Sequence, residues 1–208
     1  MWTYIALGIG YGFAAAVQPG PLQTYLISQA LVKGWQKSLP SALAPLISDG
    51  PIIALCIFVL SRVPAGLQNF LYLAGGFFVL YLAYGTFRTW RNVDPTLPSP
   101  ESSSRQTLLQ AALTNILAPG AYIFWTLVTG PILLRGWRET PMHGIGLLFG
   151  FYATMIVSLG AIILVFSSAR QLGPKVNRAL LGISALALFC FGLYQLWLGI
   201  TGMASPNA

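Results

Sequence analysis

Charged side chains are absent from residues 1–32, 63–87, 106–134 and 179–208; 38–61 and 140–169 are interrupted only by Asp49 and His143. Each stretch holds 20 or more mostly apolar residues, enough for a helix to cross roughly 30 Å of hydrocarbon. The pattern predicts spans at about 4–32, 39–60, 66–87, 107–134, 142–167 and 177–201. The fold class it predicts is an all-α integral membrane protein with six transmembrane helices. Met1 to Gln18 is apolar but has no lysine or arginine, so it reads as part of the first span rather than as a secretory signal.

Two of these spans carry helix breakers near their middle. The first holds QPGPLQTYL, with Pro19, Gly20 and Pro21, and the fourth holds APGAYIFW, with Pro119 and Gly120. Proline lacks the backbone donor and clashes with the preceding turn, at about 3 kcal/mol in a helix interior. In hydrocarbon no water receives the freed carbonyls, so a break is tolerable where protein or a wet cavity receives them. A helix beginning at Pro19 or Pro21 would present free N–H groups and the positive end of its dipole, a seat for a carboxylate.

The breakers recur in order. Pro19-Gly20 is answered by Pro119-Gly120, Gly34-Trp35 by Gly136-Trp137, and Gly75 and Gly85 by Gly182 and Gly192. This predicts a single transmembrane domain over 1–208: repeat 1 at about 1–90, a linker at 91–105 and repeat 2 at about 106–201. Three spans is an odd number, so the second copy enters the membrane with opposite polarity, an inverted repeat with helices 1 and 4 broken at Pro-Gly. The linker, RNVDPTLPSPESSSR, is rich in proline and serine and without apolar period. Pro40, Pro45 and Pro51 make span 2 an irregular helix.

Asp49 stands ten residues after Leu39 and eleven before Leu60. A rise of 1.5 Å per residue puts it about 15 Å from either end, near the bilayer centre. A carboxylate at that depth is costly and ordinarily faces a cavity where it works, so Asp49 is the candidate for proton or cation coupling. Around the breaks fall Gln18, Gln23, Thr24 and Ser48 in the first half, and Asn115, Tyr122, Trp125 and Thr126 in the second. With Pro19, Gly20, Pro21, Pro119 and Gly120, the candidates for a substrate pathway are Gln18, Gln23, Thr24, Asn115, Tyr122 and Trp125. No residue is assigned as catalytic or as a metal ligand.

Composition refines this picture: 56% of the 208 residues are hydrophobic, 7% are charged, and the net charge is +7. The positive charge follows topology rather than nucleic acid. Lys33, Lys37, Arg88, Arg91, Arg105, Arg170, Lys175 and Arg178 fall on one side of six spans, against Arg62, Arg135 and Arg138 on the other. The positive-inside rule makes the richer side cytoplasmic and both termini extracytoplasmic. Cys56 and Cys190 lie far apart in apolar runs and read as packing residues. GLLFG, residues 146–150, has the small-xxx-small spacing of close helix contact, and faces of this kind permit a homodimer.

PGPLQTYLISQALVKGWQKSLPSALAPLISDGP resembles the opening of the lysine exporter (LysE/RhtB-type) translocator family, with its PGP motif, a glycine about a dozen residues on and an acid in the next span. LTNILAPGAYIFW resembles that family's second-half motif, and the likeness extends over nearly the whole chain. The resemblance implies export of amino acids or related small metabolites across the bacterial plasma membrane, driven by the proton gradient or membrane potential. It implies no enzyme activity and no cofactor. Pro19, Gly20, Pro21, Asp49, Asn115 and Pro119 match the family's motif positions. Leu22 stands where the family has Asn or Asp, Ala118 where it has Asn, and Gly120 where it has Lys, which puts the cargo in doubt. A divalent metal-ion exporter is the alternative, although hard cations want several oxygen ligands and one intramembrane acid is few. A membrane thiol-redox carrier is weaker still, since no cysteine lies beside either break.

Overall fold

The computed structural model describes residues 1–58, 65–92, 103–169 and 173–204. Most of the 91–105 linker, Arg62 and Arg170 lie outside the described residues, as does the side chain of Cys56. No strand occurs among those described. In chain order the helices are α1 (Trp2–Val17), α2 (Pro21–Lys33), α3 (Trp35–Ser38), a 3₁₀ turn (Leu39–Leu43), α4 (Ala44–Phe58), α5 (Ala65–Asn92), α6 (Ser104–Ile116), α7 (Pro119–Ile123), a π-helical turn (Phe124–Thr129), α8 (Gly130–Glu139), α9 (Pro141–Ala169) and α10 (Pro174–Ala204).

By length and composition, four segments are able to cross a bilayer: Trp35–Leu55, Asn69–Arg91, Pro141–Ala169 and Lys175–Met203. A fifth is Ser104–Ile116 with Pro119–Glu139, taken as one span bent by 59°. This is a multi-pass membrane protein. The expected first span is divided into α1 and α2. α1 alone, at 16 residues, is about 24 Å long, short of the hydrocarbon thickness.

Local sterics explain both divisions. The residue before a proline is pushed from the α region toward extended backbone. Gln18 (φ −62°, ψ 120°), Gly20 (φ −169°, ψ 179°) and Ala118 (φ −88°, ψ 110°) each precede a proline, and each is extended. Span 2 is irregular as expected: the 3₁₀ turn begins beside Pro40, and Pro51 lies inside α4. Before Pro131 the helix widens instead of breaking. The Gly130 N–H reaches back five residues to the Trp125 carbonyl, and a Cβ at Gly130 would overlap that oxygen.

Two long pairings frame the molecule. α5 runs antiparallel to α10: Leu73 meets Gly199, Gly76 meets Gly192 and Trp90 meets Gly182. α1 lies along α9, where Gly8 and Gly12 rest on the backbone at Leu147 and Phe151, and Gly146 and Gly150 rest on Ile5. The GLLFG spacing is therefore used inside the chain. Leu26, Leu147, Phe151 and Leu159 are buried between the helices, while Phe77, Phe149, Val157 and Val165 face outward as an apolar belt.

The ends of α1, α8 and α9 are joined by a polar cluster. The Tyr4 hydroxyl donates to Glu139 Oε2 at 2.9 Å, Arg135 Nε lies 3.3 Å from Glu139 Oε1, and His143 Nδ1 lies 3.3 Å from Oε2. Tyr4 stacks on the His143 ring at 4.7 Å. The Tyr4 hydroxyl, then the Arg135 and His143 side chains, hold the Glu139 carboxyl below the usual carboxylate range, with partial desolvation opposing them. A depressed native pKa stabilises above the unfolded value and is lost as pH falls through the native one. A small drop in melting temperature is therefore expected in detergent as pH falls below about 4.3, the free glutamate value. Glu139→Gln should flatten that part of the profile, and an unchanged acid limb in the variant would refute the assignment.

Candidate functional site

The two breaks meet. Gln18, Pro19, Gly20, Pro21 and Gln23 line one side of a cavity of about 290 Å³, and Asn115, Ala118, Pro119, Gly120, Phe124 and Trp125 line the other. Asp49 opens onto the same space from α4, and Phe151, Met155, Phe191 and Tyr194 supply apolar and aromatic walls. Of the candidates read from the sequence, Thr24 and Tyr122 are not among the lining residues. Thr24 turns to its own helix, donating to the Gly20 carbonyl at 2.9 Å. Tyr122 is buried on α7.

Asp49 is 2% exposed and held by donors from three other elements. The Asn115 amide nitrogen donates to Asp49 Oδ1 at 2.7 Å and to Ser48 Oγ at 2.7 Å, using both of its hydrogens. Ser48 passes its own hydrogen to the Ala44 carbonyl at 3.0 Å. The Tyr152 hydroxyl reaches Asp49 Oδ2 at 3.3 Å, and Trp125 also hydrogen-bonds to the carboxylate. A buried carboxylate with several donors is satisfied in its charged form. A proton added to it weakens the hydrogen bonds it accepts, so protonation and local geometry are coupled.

Gln23 performs a structural task beside the cavity. Its Nε2 donates to the carbonyls of Ala15 and Ala16 at 3.0 and 3.3 Å, capping the end of α1 that the break leaves open. No side chain caps the first turn of α2, whose N-cap is Gly20. The lining of Trp125, Phe151 and Phe124 is continuous: Trp125 and Phe151 are 5.1 Å apart, and Phe124 and Phe151 6.1 Å.

Sequence reasoning missed Tyr152, Tyr72, Tyr194 and Gln195. Tyr152 lies 103 residues from Asp49 in an uninterrupted apolar run, and its hydroxyl in mid-span was the one available signal. Gln195 is buried at the cavity wall on α10, and its Oε1 has no hydrogen-bond partner among the described residues. Among the described residues no three of His, Cys, Asp and Glu come together, so a cation in this cavity meets a single carboxylate. Cys190 is exposed on α10.

A family model described as "LysE type translocator" matches residues 13–199. No curated protein and no solved structure matches the chain.

Proposed function

We propose that this chain, which belongs to the LysE type translocator family, is a secondary active transporter that exports amino acids or related small metabolites across the bacterial plasma membrane. The observation that carries the reading is the convergence of both broken helices and Asp49 on one cavity. Its volume, about 290 Å³, sits at the small end of metabolite pockets, roughly 300–1,000 Å³. The uncapped first turn of α2 offers N–H groups to a carboxylate.

The architecture we assign is six spans as two inverted repeats, with α1 and α2 forming the broken first span and α6 through α8 the broken fourth. The antiparallel course of α5 and α10, the third and sixth spans, is what an inverted repeat requires. Gln18, Pro19, Gly20, Pro21, Gln23, Asn115, Pro119, Gly120 and Trp125 form the pathway wall, Thr24 and Tyr122 support it from behind, and Asp49 couples transport to a proton or another ion. The charge bias of the loops places both termini outside. A divalent metal ion is the weaker cargo, because the cavity presents one carboxylate where such ions take six or more oxygen ligands.

The test is uptake of a panel of labelled amino acids into inside-out vesicles, with and without an imposed pH gradient or membrane potential. Gradient-dependent accumulation of a compound is the expected result. If no amino acid moves under any gradient, the amino-acid reading fails.

A further inference from the structure

Beyond the cavity, the two broken helices also touch at their outer ends, and they do so twice. On the side of Lys33, α2 lies against α6. The Tyr25 hydroxyl donates to Gln110 Oε1 at 2.6 Å, and Lys33 Nζ donates to Thr107 Oγ1 at 2.7 Å. One side of each contact is buried: Tyr25 is 1% exposed, and Thr107 and Ala111 are fully buried, while Lys33 and Gln110 are half-buried. A lysine ammonium satisfied by a hydroxyl rather than a carboxylate is held by geometry more than by charge, and such a contact separates without leaving an unpaired acid.

On the opposite side, α1 reaches α8 through the Tyr4 side chain. Tyr4 packs directly on Gly136, where a Cβ would press on the ring, and its hydroxyl takes Glu139. The repeat relates the two seams. α1 and α6 are the segments before the breaks, and α2 and α8 belong to those after them. Measured from Pro19 and Pro119, Tyr4 stands one helical turn further out than Thr107, and Gly136 one turn further out than Lys33. Corresponding segments are thus bridged on both sides of the cavity with different chemistry: a buried phenol and a half-buried lysine on one side, an exposed carboxylate cluster on the other.

We propose that these seams are the two gates of the transport pathway: Tyr25–Gln110 with Lys33–Thr107 closes the cytoplasmic side, and Tyr4–Glu139 on Gly136 closes the outer side. The inference rests on the transporter reading and adds the residues that decide which face the cavity opens to. Both latches are made in this structure. Opening one side breaks only the contacts of that seam and leaves the other intact.

The test is the rate at which a membrane-impermeant thiol reagent modifies Ala121→Cys, a cavity-wall position, in full-length protein carrying Cys56→Ser and Cys190→Ser. Labelling is measured in inside-out and in right-side-out vesicles. Tyr25→Phe and Thr107→Val each remove one hydrogen bond across the seam and keep most of the side-chain volume; Thr107→Val also loses the bond its hydroxyl donates to the Ser103 carbonyl at the start of α6. Each should raise labelling from the cytoplasmic face about two- to tenfold, the net value of one hydrogen bond, and leave the outer face unchanged. Tyr4→Phe should do the reverse. A residue that merely stabilises the fold would raise labelling from both faces, and that result, no change, or an exchange of the faces overturns the proposal. Labelling needs no cargo, so its outcome is separate from the transport assay: one-sided labelling without transport would refute the transporter reading alone, and transport with symmetric labelling would refute the gates alone.

Discussion

Asp49→Asn is expected to abolish gradient-driven accumulation while the protein stays folded and still exchanges cargo across the membrane. Asparagine keeps the size of the side chain and one acceptor oxygen, so the Asn115 amide retains a partner at the position of Oδ1. The new amide hydrogens face Tyr152, whose hydroxyl is able to accept as well as donate. What disappears is the mid-span titratable group, together with the charge that strengthens every hydrogen bond it accepts. Hydrogen bonds to a charged group are worth about 1.5–3 kcal/mol each, so accumulation under an imposed gradient should fall by more than about tenfold. Counterflow of labelled against unlabelled cargo in the same vesicles reports the cavity without the coupling. Accumulation at wild-type level in the variant would remove Asp49 from the coupling step, and loss of counterflow as well would make it a cargo ligand.

The second large effect concerns two glycines that both belong to the sequence repeat and are unlike in the structure. A Cβ at Gly75 would overlap the Leu117 carbonyl at the end of α6 and lie 3.1 Å from Gln195 Oε1. Neither neighbour gives way cheaply, because one is backbone and the other is a buried side chain. Gly75→Ala should force α5 away from the second break and destabilise by about 1–3 kcal/mol, the usual cost of overpacking. At Gly85 nothing lies within 4 Å of the added methyl. Gly85→Ala should be neutral or stabilising by up to about 1 kcal/mol through helix propensity. Thermal unfolding of the two variants in one detergent decides the matter. Equal melting temperatures would mean that α5 does not approach the break as described.

The breaks themselves were legible from short-range sterics alone. Prolines at 19, 21 and 119 dictate extended backbone at Gln18, Gly20 and Ala118, and that requirement does not depend on the rest of the chain. The depth of Asp49 followed from counting residues along an apolar segment. The lipid anchoring of the remaining helices was legible for the same reason, since apolar length is a local quantity.

Partners were a different matter. Gln23 looked like a pathway residue, and the fold turns its amide onto the carbonyls of Ala15 and Ala16. Thr24 looked equivalent to it and is bonded within its own helix. Both outcomes depend on where α1 ends in space after a bend whose direction no local rule gives. His143 sits in a cluster with Tyr4 and Glu139 that joins three helix ends.

By itself, then, the sequence determined an all-helical membrane chain, the points where two helices break, and a lone carboxylate in mid-span, because each follows from a residue and its immediate neighbours. Only the tertiary structure decided that the two breaks enclose one cavity, that Asn115, Tyr152 and Trp125 hold Asp49, and that Gly75 bears a close contact while Gly85 does not. Those facts join residues distant in the chain, such as Asp49 and Tyr152, 103 positions apart. Hydropathy specifies only that such a residue lies in the bilayer, whereas packing specifies which side chain it meets there.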